Sequence, residues 1–279
     1  MRLAPDTNLL SFPSTRTLLH AVALANDMEV IVLPEVMDET LRRLRAVEAD
    51  RAASAFKGQS NLDEDRQQLM VERVIDAAQT WFMNEIHRSD TAYRVVENTW
   101  KLGSQAILLA KNLPKGIVPE APPVPEGDAL ILAQAVVHDA TVLSTNNLRS
   151  IDHELANEWA RRVTGRTSDL VLSPDQTMER LSDGDWGRVA RWVACYSARV
   201  GELPVGKRRG AIEASLRALE GGGFHETARR TRWAEKTDAD FQSAIQAGVL
   251  EEPDATRRAH DSETRRRRMV QAAMQIEAP

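Results

Sequence analysis

The stretch Leu3-Ala4-Pro5-Asp6-Thr7-Asn8-Leu9-Leu10 places a carboxylate directly after a short apolar segment. An apolar run of this length is typical of a buried strand, and an acid at the end of such a strand is well placed to bind a metal ion. Asp-Thr-Asn is equally a good turn or helix-capping sequence. Carboxylate-bearing junctions of the same kind recur at 34–44 and 127–148, and this recurrence favours polar residues gathered at one edge of a sheet.

Strand-like and helix-like segments alternate over the first 182 residues. Residues 29–33 form an apolar run typical of a buried strand, a helix is predicted to begin at Pro34, and further strands are predicted at 141–144 and 169–172. Strands that are separated by helices predict a parallel sheet covered on both faces. The predicted fold class is therefore α/β, a Rossmann-like parallel sheet flanked by helices.

Two helical regions complete the predicted organisation. Apolar residues recur at helical spacing in 61–88 and again in 92–110, which predicts a helical hairpin inserted at about residues 61–112. The last part of the chain has helical spacing throughout and no metal or nucleotide motif. We therefore predict one domain at residues 1–182 and a helical C-terminal region at residues 183–279.

The composition indicates a globular protein with a substantial core. The chain has 279 residues, of which 42% are hydrophobic, enough for a substantial core. Its apolar runs fall short of the roughly 18 residues that a membrane helix needs, and the N-terminus lacks a charged-then-apolar signal sequence. We expect a cytoplasmic protein without membrane contact. The single cysteine, Cys195, excludes an internal disulfide and a cysteine metal cluster.

The net charge of −5 is unevenly distributed. Residues 1–153 carry 15 Lys and Arg against 21 Asp and Glu. This excess of negative charge argues against bulk attraction to a phosphate backbone. A carboxylate cluster that holds a divalent cation would account for part of the excess. In the second half, arginines are concentrated at 265–268. We predict that they bind RNA or a protein partner, and the alternative is a solvated helix end.

Polar side chains follow the predicted strands at the point where ligands bind in α/β sheets, which is the carboxyl edge. Asp6 follows the first strand, Asp128 begins a helix, and Asn146 and Asn147 follow the strand at 141–144. We expect these residues to face one edge of the sheet.

Two glutamates supply the acid expected after the second strand. Glu39 and Glu35 lie one turn apart on the same side of the helix that begins at Pro34, and Glu35 is an alternative to Glu39 as the ligand. Oxygen ligands without histidine or cysteine are what Mg²⁺ or Mn²⁺ prefers. The sequence therefore predicts a divalent-cation site, which suits phosphodiester hydrolysis.

The order of these junctions resembles the PIN-domain nuclease family over roughly residues 1–182. The resemblance is carried by five short segments, namely 3–8, 32–39, 127–133, 142–147 and 170–175. Transferred residue by residue, the acidic cluster of the family falls on Asp6, Glu39 and Asp128, and its fourth acid falls on Asn147. The resemblance implies that these four residues are catalytic and that Asp6, Asp128 and Asn147 bind the metal.

Asn147 departs from the aspartate that is usual in the family. An asparagine keeps an oxygen ligand but removes one negative charge, which is expected to weaken metal binding. Asp38 and Asp152 are alternative sources of that charge, although neither matches the motif.

The resemblance implies a Mg²⁺- or Mn²⁺-dependent endoribonuclease with a PIN-like fold. Many relatives are toxins of toxin–antitoxin pairs, although those are usually little longer than the domain itself. The expected partners are an RNA substrate, an antitoxin or another protein, and a second copy of the chain in a homodimer. The alternative, which Asn147 favours, is a noncatalytic PIN-like scaffold that binds nucleic acid or protein through its helical region.

Overall fold

The computed structural model describes residues 1–57, 63–88, 92–118, 127–147, 151–198, 203–247 and 254–274. Its strands form one parallel sheet in the order β3-β2-β1-β4-β5. The strands are β1 (Arg2–Pro5), β2 (Glu29–Val32), β3 (Tyr93–Val95), β4 (Val142–Ser144) and β5 (Val171–Leu172). The α/β prediction is confirmed, as is the parallel sheet flanked by helices.

The helices of the described residues account for most of the remaining chain. They are α1 (Thr7–Ser11), α2 (Pro13–Ala25), α3 (Pro34–Phe56), α4 (Glu64–Ile86), α5 (Trp100–Lys111), α6 (Gly127–Val137), α7 (His153–Thr164), α8 (Pro174–Leu181), α9 (Trp186–Ala198), α10 (Val205–Gly221), α11 (His225–Thr237), α12 (Ala239–Ala247) and α13 (Asp254–Met274).

Strand β1 lies at the centre of the sheet, between β2 and β4. Leu3 pairs with Val30 on one side and with Val142 on the other, and all three side chains are fully buried. The chain passes from β1 to β2 and β3 on one side and then returns to β4 and β5 on the other. The carboxyl ends of β1 and β4 therefore flank the topological switch point, where α/β sheets open a crevice for ligands.

Local sequence signals set several helix boundaries. Helix α3 begins at Pro34 as predicted, since proline has no N–H to lose at the first helical position. Ser173 and Gln176 form a capping box at the start of α8, each side chain accepting from the backbone N–H of the other residue. These two boundaries place the helices that follow β2 and β5.

The segment predicted as an inserted helical hairpin has a different structure. Helix α4 exists but packs against α3 and α13, while α5 packs against α6. Between them, Tyr93–Val95 form the edge strand β3, which pairs in parallel with β2. The hairpin prediction is wrong because apolar residues at 92, 95 and 96 fit one helix turn as well as a short strand, and only pairing with β2 distinguishes the two.

The C-terminal helices pack onto the same core as the sheet. Val189, Val193, Ile212, Leu216 and Phe224 are fully buried and belong to the cluster that contains the residues of β1 and β4. This buried core is continuous across residue 182, where the sequence predicted a boundary between two regions.

Helix α13 lies against α2 and α4, and two of its arginines donate to buried glutamates. Arg266 is 4% exposed and donates to Glu48 Oε1 at 2.7 Å, and Arg265 donates to Glu85 Oε2 at 3.4 Å. The prediction that residues 265–268 form a recognition surface is wrong for Arg266, because its guanidinium is buried in an ion pair. Among the described helices, none combines the length and apolar character needed to cross a membrane.

Candidate active site

Asp6 lies at the carboxyl end of β1 and is 4% exposed. Its Oδ1 accepts from the N–H of Leu9 at 3.0 Å, and its Oδ2 accepts from the hydroxyl of Thr145 at 2.6 Å and from the N–H of Asn146 at 3.2 Å. The bond to Leu9 caps α1. Asp6 therefore both caps α1 and lies at the carboxyl edge of the sheet.

The environment of Asp6 acts on its ionisation in two opposing ways. Burial raises the pKa of the Asp6 carboxyl above its ordinary 3.8, because a charge is costly away from water. Hydrogen bonds from Thr145, Leu9 and Asn146 lower the pKa in part, because they stabilise the carboxylate. A bound cation would stabilise the same charged form.

Thr145 connects the residue that follows β1 to the residues that follow β4. This fully buried residue follows β4, donates its hydroxyl to Asp6, and accepts from the N–H of Asn147 at 3.0 Å. The amide of Asn147 in turn donates from Nδ2 to Asp128 Oδ2 at 2.8 Å. One hydrogen-bonded network therefore joins the predicted residues Asp6, Asn147 and Asp128 through Thr145.

Thr145 was not among the residues that the sequence singled out. The available signal was a hydroxyl residue directly after a buried strand and directly before the two asparagines. Such a position is also common in ordinary turns, so the sequence pattern did not distinguish it.

Glu39 lies beside the residues that follow Asp6, and both of its oxygens have donors. Oε2 accepts from the hydroxyl of Thr7 at 2.7 Å, and Oε1 accepts from Arg43 at 2.9 Å. Arg43 also donates to the side chain of Asn8. Glu39 therefore fixes the turn that carries Asp6, and its contacts are those of a positioning residue.

Glu35, the alternative to Glu39, contacts the helix that carries Asp128. Its Oε1 accepts from the N–H of Gly127 at 3.1 Å, and its own N–H donates to Gln134 Oε1 at 3.1 Å. Gly127 has a φ of +56°, which an L-residue with a side chain rarely adopts. Glu35 thus fixes the start of α6, immediately before Asp128.

The two aspartates considered as replacements for the missing charge have other positions. Asp152 caps α7 by accepting from the N–H of Leu155 at 3.0 Å, and Asp38 is exposed on α3. The position of the missing acid is held by Asn147, whose amide contacts Asp128.

The donor chemistry of the network fits a hard divalent cation. In the described part of the chain, no three His, Cys, Asp or Glu side chains lie close enough together to hold a metal ion. The oxygen donors available are the carboxylates of Asp6 and Asp128 and the amide of Asn147, which is a set that Mg²⁺ and Mn²⁺ accept together with water.

Asn147 and Asp128 are in direct contact. Nδ2 of Asn147 donates to Asp128 Oδ2 at 2.8 Å, so the two side chains lie side by side. A half-turn of the amide exchanges its nitrogen for its oxygen. Asn147 and Asp128 can therefore present two neighbouring oxygens without movement of the backbone.

The turn between α10 and α11 packs against this edge of the sheet. Gly223 has a φ of +87°, and a Cβ at this position would lie 2.1 Å from Oδ1 of Asn146. The side chain of Asp175 accepts from the N–H groups of Glu226 and Thr227, each at 2.8 Å, and so fixes the start of α11. The C-terminal helices thus reach the residue whose N–H binds Asp6.

Comparison with protein-family models, curated proteins and solved structures finds no match for this chain.

Proposed function

We propose that this protein is a metal-dependent endoribonuclease with a PIN-like fold, which hydrolyses phosphodiester bonds of RNA with Mg²⁺ or Mn²⁺. The observation that carries the proposal is the network Asp6–Thr145–Asn147–Asp128 at the switch point between β1 and β4. Ligands bind at this position in α/β sheets, and the available side chains are oxygen donors.

Asp6, Asp128 and Asn147 would hold the cation. When bound, a divalent cation lowers the pKa of a coordinated water and polarises the phosphoryl oxygen. The protein supplies position and orientation. Backbone N–H groups and the Thr145 hydroxyl hold the Asp6 carboxylate, and Glu35 fixes the first turn of α6, where the helix dipole favours the negative charge of Asp128.

A second candidate function is a noncatalytic scaffold that binds nucleic acid or a protein. The specific observation in its favour is that the Asn147 amide donates to Asp128, which satisfies that carboxylate without a metal ion. Under this alternative the network stabilises the sheet edge, and added Mn²⁺ produces no cleavage.

Cleavage of an end-labelled single-stranded RNA separates the two candidates. Under the nuclease proposal, wild-type protein cleaves with Mn²⁺ and not with excess EDTA, and Asp6→Asn or Asp128→Asn lowers the rate at least a hundredfold. Asp76→Asn, at an exposed position on α4, is the matched control and retains full activity. Equal rates for Asp76→Asn and both site variants would refute the nuclease proposal.

A further inference from the structure

Helix α5 carries large apolar side chains that are exposed on one side. Trp100 is 88% exposed, Leu108 is 62% exposed and Ile107 is 43% exposed. Spacings of seven and eight residues place the three on the same side of a helix. We call these three residues, together with Lys101, Lys111 and Lys115, the α5 surface.

The opposite side of α5 joins it to the helix that carries Asp128. Ala106 and Ala110 are buried in a cluster with Ala129 and Ala133 of α6. Since Ala129 follows Asp128 directly, α5 lies beside the first turn of α6. Small side chains at this contact allow the two helices to approach closely.

Both ends of α5 connect to segments that follow strands of the sheet. Helix α5 begins five residues after Val95, the last residue of β3. Beyond its other end, the carbonyl of Ile117 accepts from the N–H of Asp152 at 2.9 Å, close to the point where Ile151 N–H donates to Asn147. A helix of this length spans about 18 Å, and β3 lies three strand spacings, about 14 Å, from β4. Helix α5 is therefore held beside α6, which carries Asp128, and the α5 surface lies on its solvent-exposed side.

The α5 surface is positively charged in an acidic protein. Lys101, Lys111 and Lys115 are exposed, and residues 98–118 contain no Asp or Glu. None of the three lysines has an ion-pair partner within the part of the chain that the structure describes. The charge of this segment is opposite in sign to the net charge of −5 of the whole chain, and it is complementary to a polyanion.

We propose that the α5 surface binds single-stranded RNA, with a base stacked on Trp100 and phosphates contacted by the three lysines. This proposal rests on the proposed nuclease function and names the part of the protein that holds its substrate. An exposed aromatic ring next to cationic side chains is the arrangement that binds single strands regardless of sequence. Pairing of two α5 helices is disfavoured, because their lysines would face one another without acids.

RNA affinity measured in excess EDTA tests the α5 surface without any cleavage. The probe is a fluorescein-labelled 12-nucleotide oligoadenylate, and anisotropy reports its binding. Trp100→Ala is expected to raise Kd roughly tenfold, as the loss of one stacked base predicts. Trp233→Ala is the matched control, since Trp233 is 65% exposed on α11, and it is expected to leave Kd within about twofold.

The lysines are tested through the salt dependence of the same binding. The slope of log K against log salt is negative, and each contact with single-stranded phosphate contributes about 0.7 to its magnitude. Replacing Lys101, Lys111 and Lys115 by alanine is therefore expected to reduce that magnitude by about 2. Replacing Lys207 and Lys236, which are exposed on α10 and α11, is the control and leaves the slope unchanged.

Two kinds of result would overturn the α5 proposal. One is the absence of RNA binding by the wild-type protein, or equal Kd values for Trp100→Ala and Trp233→Ala. The other is sedimentation that shows wild-type self-association lost in Trp100→Ala while RNA affinity is unchanged, which would assign the surface to a protein contact. Because EDTA prevents metal-dependent cleavage, these measurements report RNA binding alone. They therefore test the α5 surface even if the protein is not a nuclease.

Discussion

The side-chain amide of Asn147, in the segment that follows β4, donates a hydrogen bond to Asp128 at the start of α6 at 2.8 Å. A carboxylate at position 147 would repel Asp128 at this distance unless a cation lay between them. The amide removes that repulsion and also removes one negative charge from the proposed cation site. The Asn147 amide therefore supplies a contact to Asp128 while it removes a charge that would favour a bound cation.

Asn147→Asp is expected to strengthen Mn²⁺ binding at least about tenfold, because an added anionic ligand favours a hard cation. The same variant is expected to melt at a lower temperature than wild type in excess EDTA, because two carboxylates then face each other. Calorimetric titration with Mn²⁺ and thermal unfolding in EDTA measure the two effects. Equal or weaker Mn²⁺ affinity in the variant would show that Asn147 lies outside the site.

Thr145→Val is expected to lower cleavage more than tenfold and to destabilise the protein by about 1–3 kcal/mol, because Asp6 and the N–H of Asn147 both lose a buried partner. Thr231→Val is the control, since Thr231 is also fully buried and its hydroxyl donates to the carbonyl of Thr227 at 2.8 Å. That control is expected to lose stability but to keep its activity. If both variants cleave at the same rate per folded molecule, Thr145 has no role beyond packing.

Glu48→Gln is expected to destabilise the protein by about 3–5 kcal/mol, because Arg266 then loses its buried carboxylate partner. Glu158→Gln removes the exposed ion pair with Arg162 and is expected to change stability by less than about 1 kcal/mol. Urea unfolding measures both variants. A similar small change for Glu48→Gln would mean that α13 is not held by this ion pair.

His153→Gln is expected to make the protein more resistant to mild acid. Burial lowers the pKa of His153 below its ordinary 6.5, an effect that Asp152 only partly offsets. As the pH falls, the unfolded chain therefore takes up a proton near pH 6.5, before the folded protein does. The contribution of neutral His153 to the free energy of unfolding is complete above that pH and is lost as the pH falls toward the folded pKa. Melting temperatures measured from pH 7.5 to 5.5 should fall more steeply for wild type than for the variant, and parallel curves would contradict the assignment.

Local sequence patterns were sufficient for most of the secondary structure. Pro34 marks a helix start because proline fits the first helical position, and the apolar run before Asp6 forms a buried strand. These signals depend on residues that are neighbours in the chain, so they can be read without knowledge of the fold. They also placed Asp6, Asp128 and Asn147 at the ends of the elements that meet at the sheet edge.

Only the tertiary structure distinguished residues whose roles depend on distant neighbours. Glu35 and Glu39 are equivalent by spacing, yet one contacts Gly127 and the other contacts Thr7. Residues 93–95 form a strand only because β2 offers them backbone partners. Arg266 is buried rather than exposed because Glu48 lies opposite it, 218 positions away in the chain. Hydrogen bonds and ion pairs of this kind depend on which surfaces the fold brings together, and that information is not present in the spacing of residues along the chain.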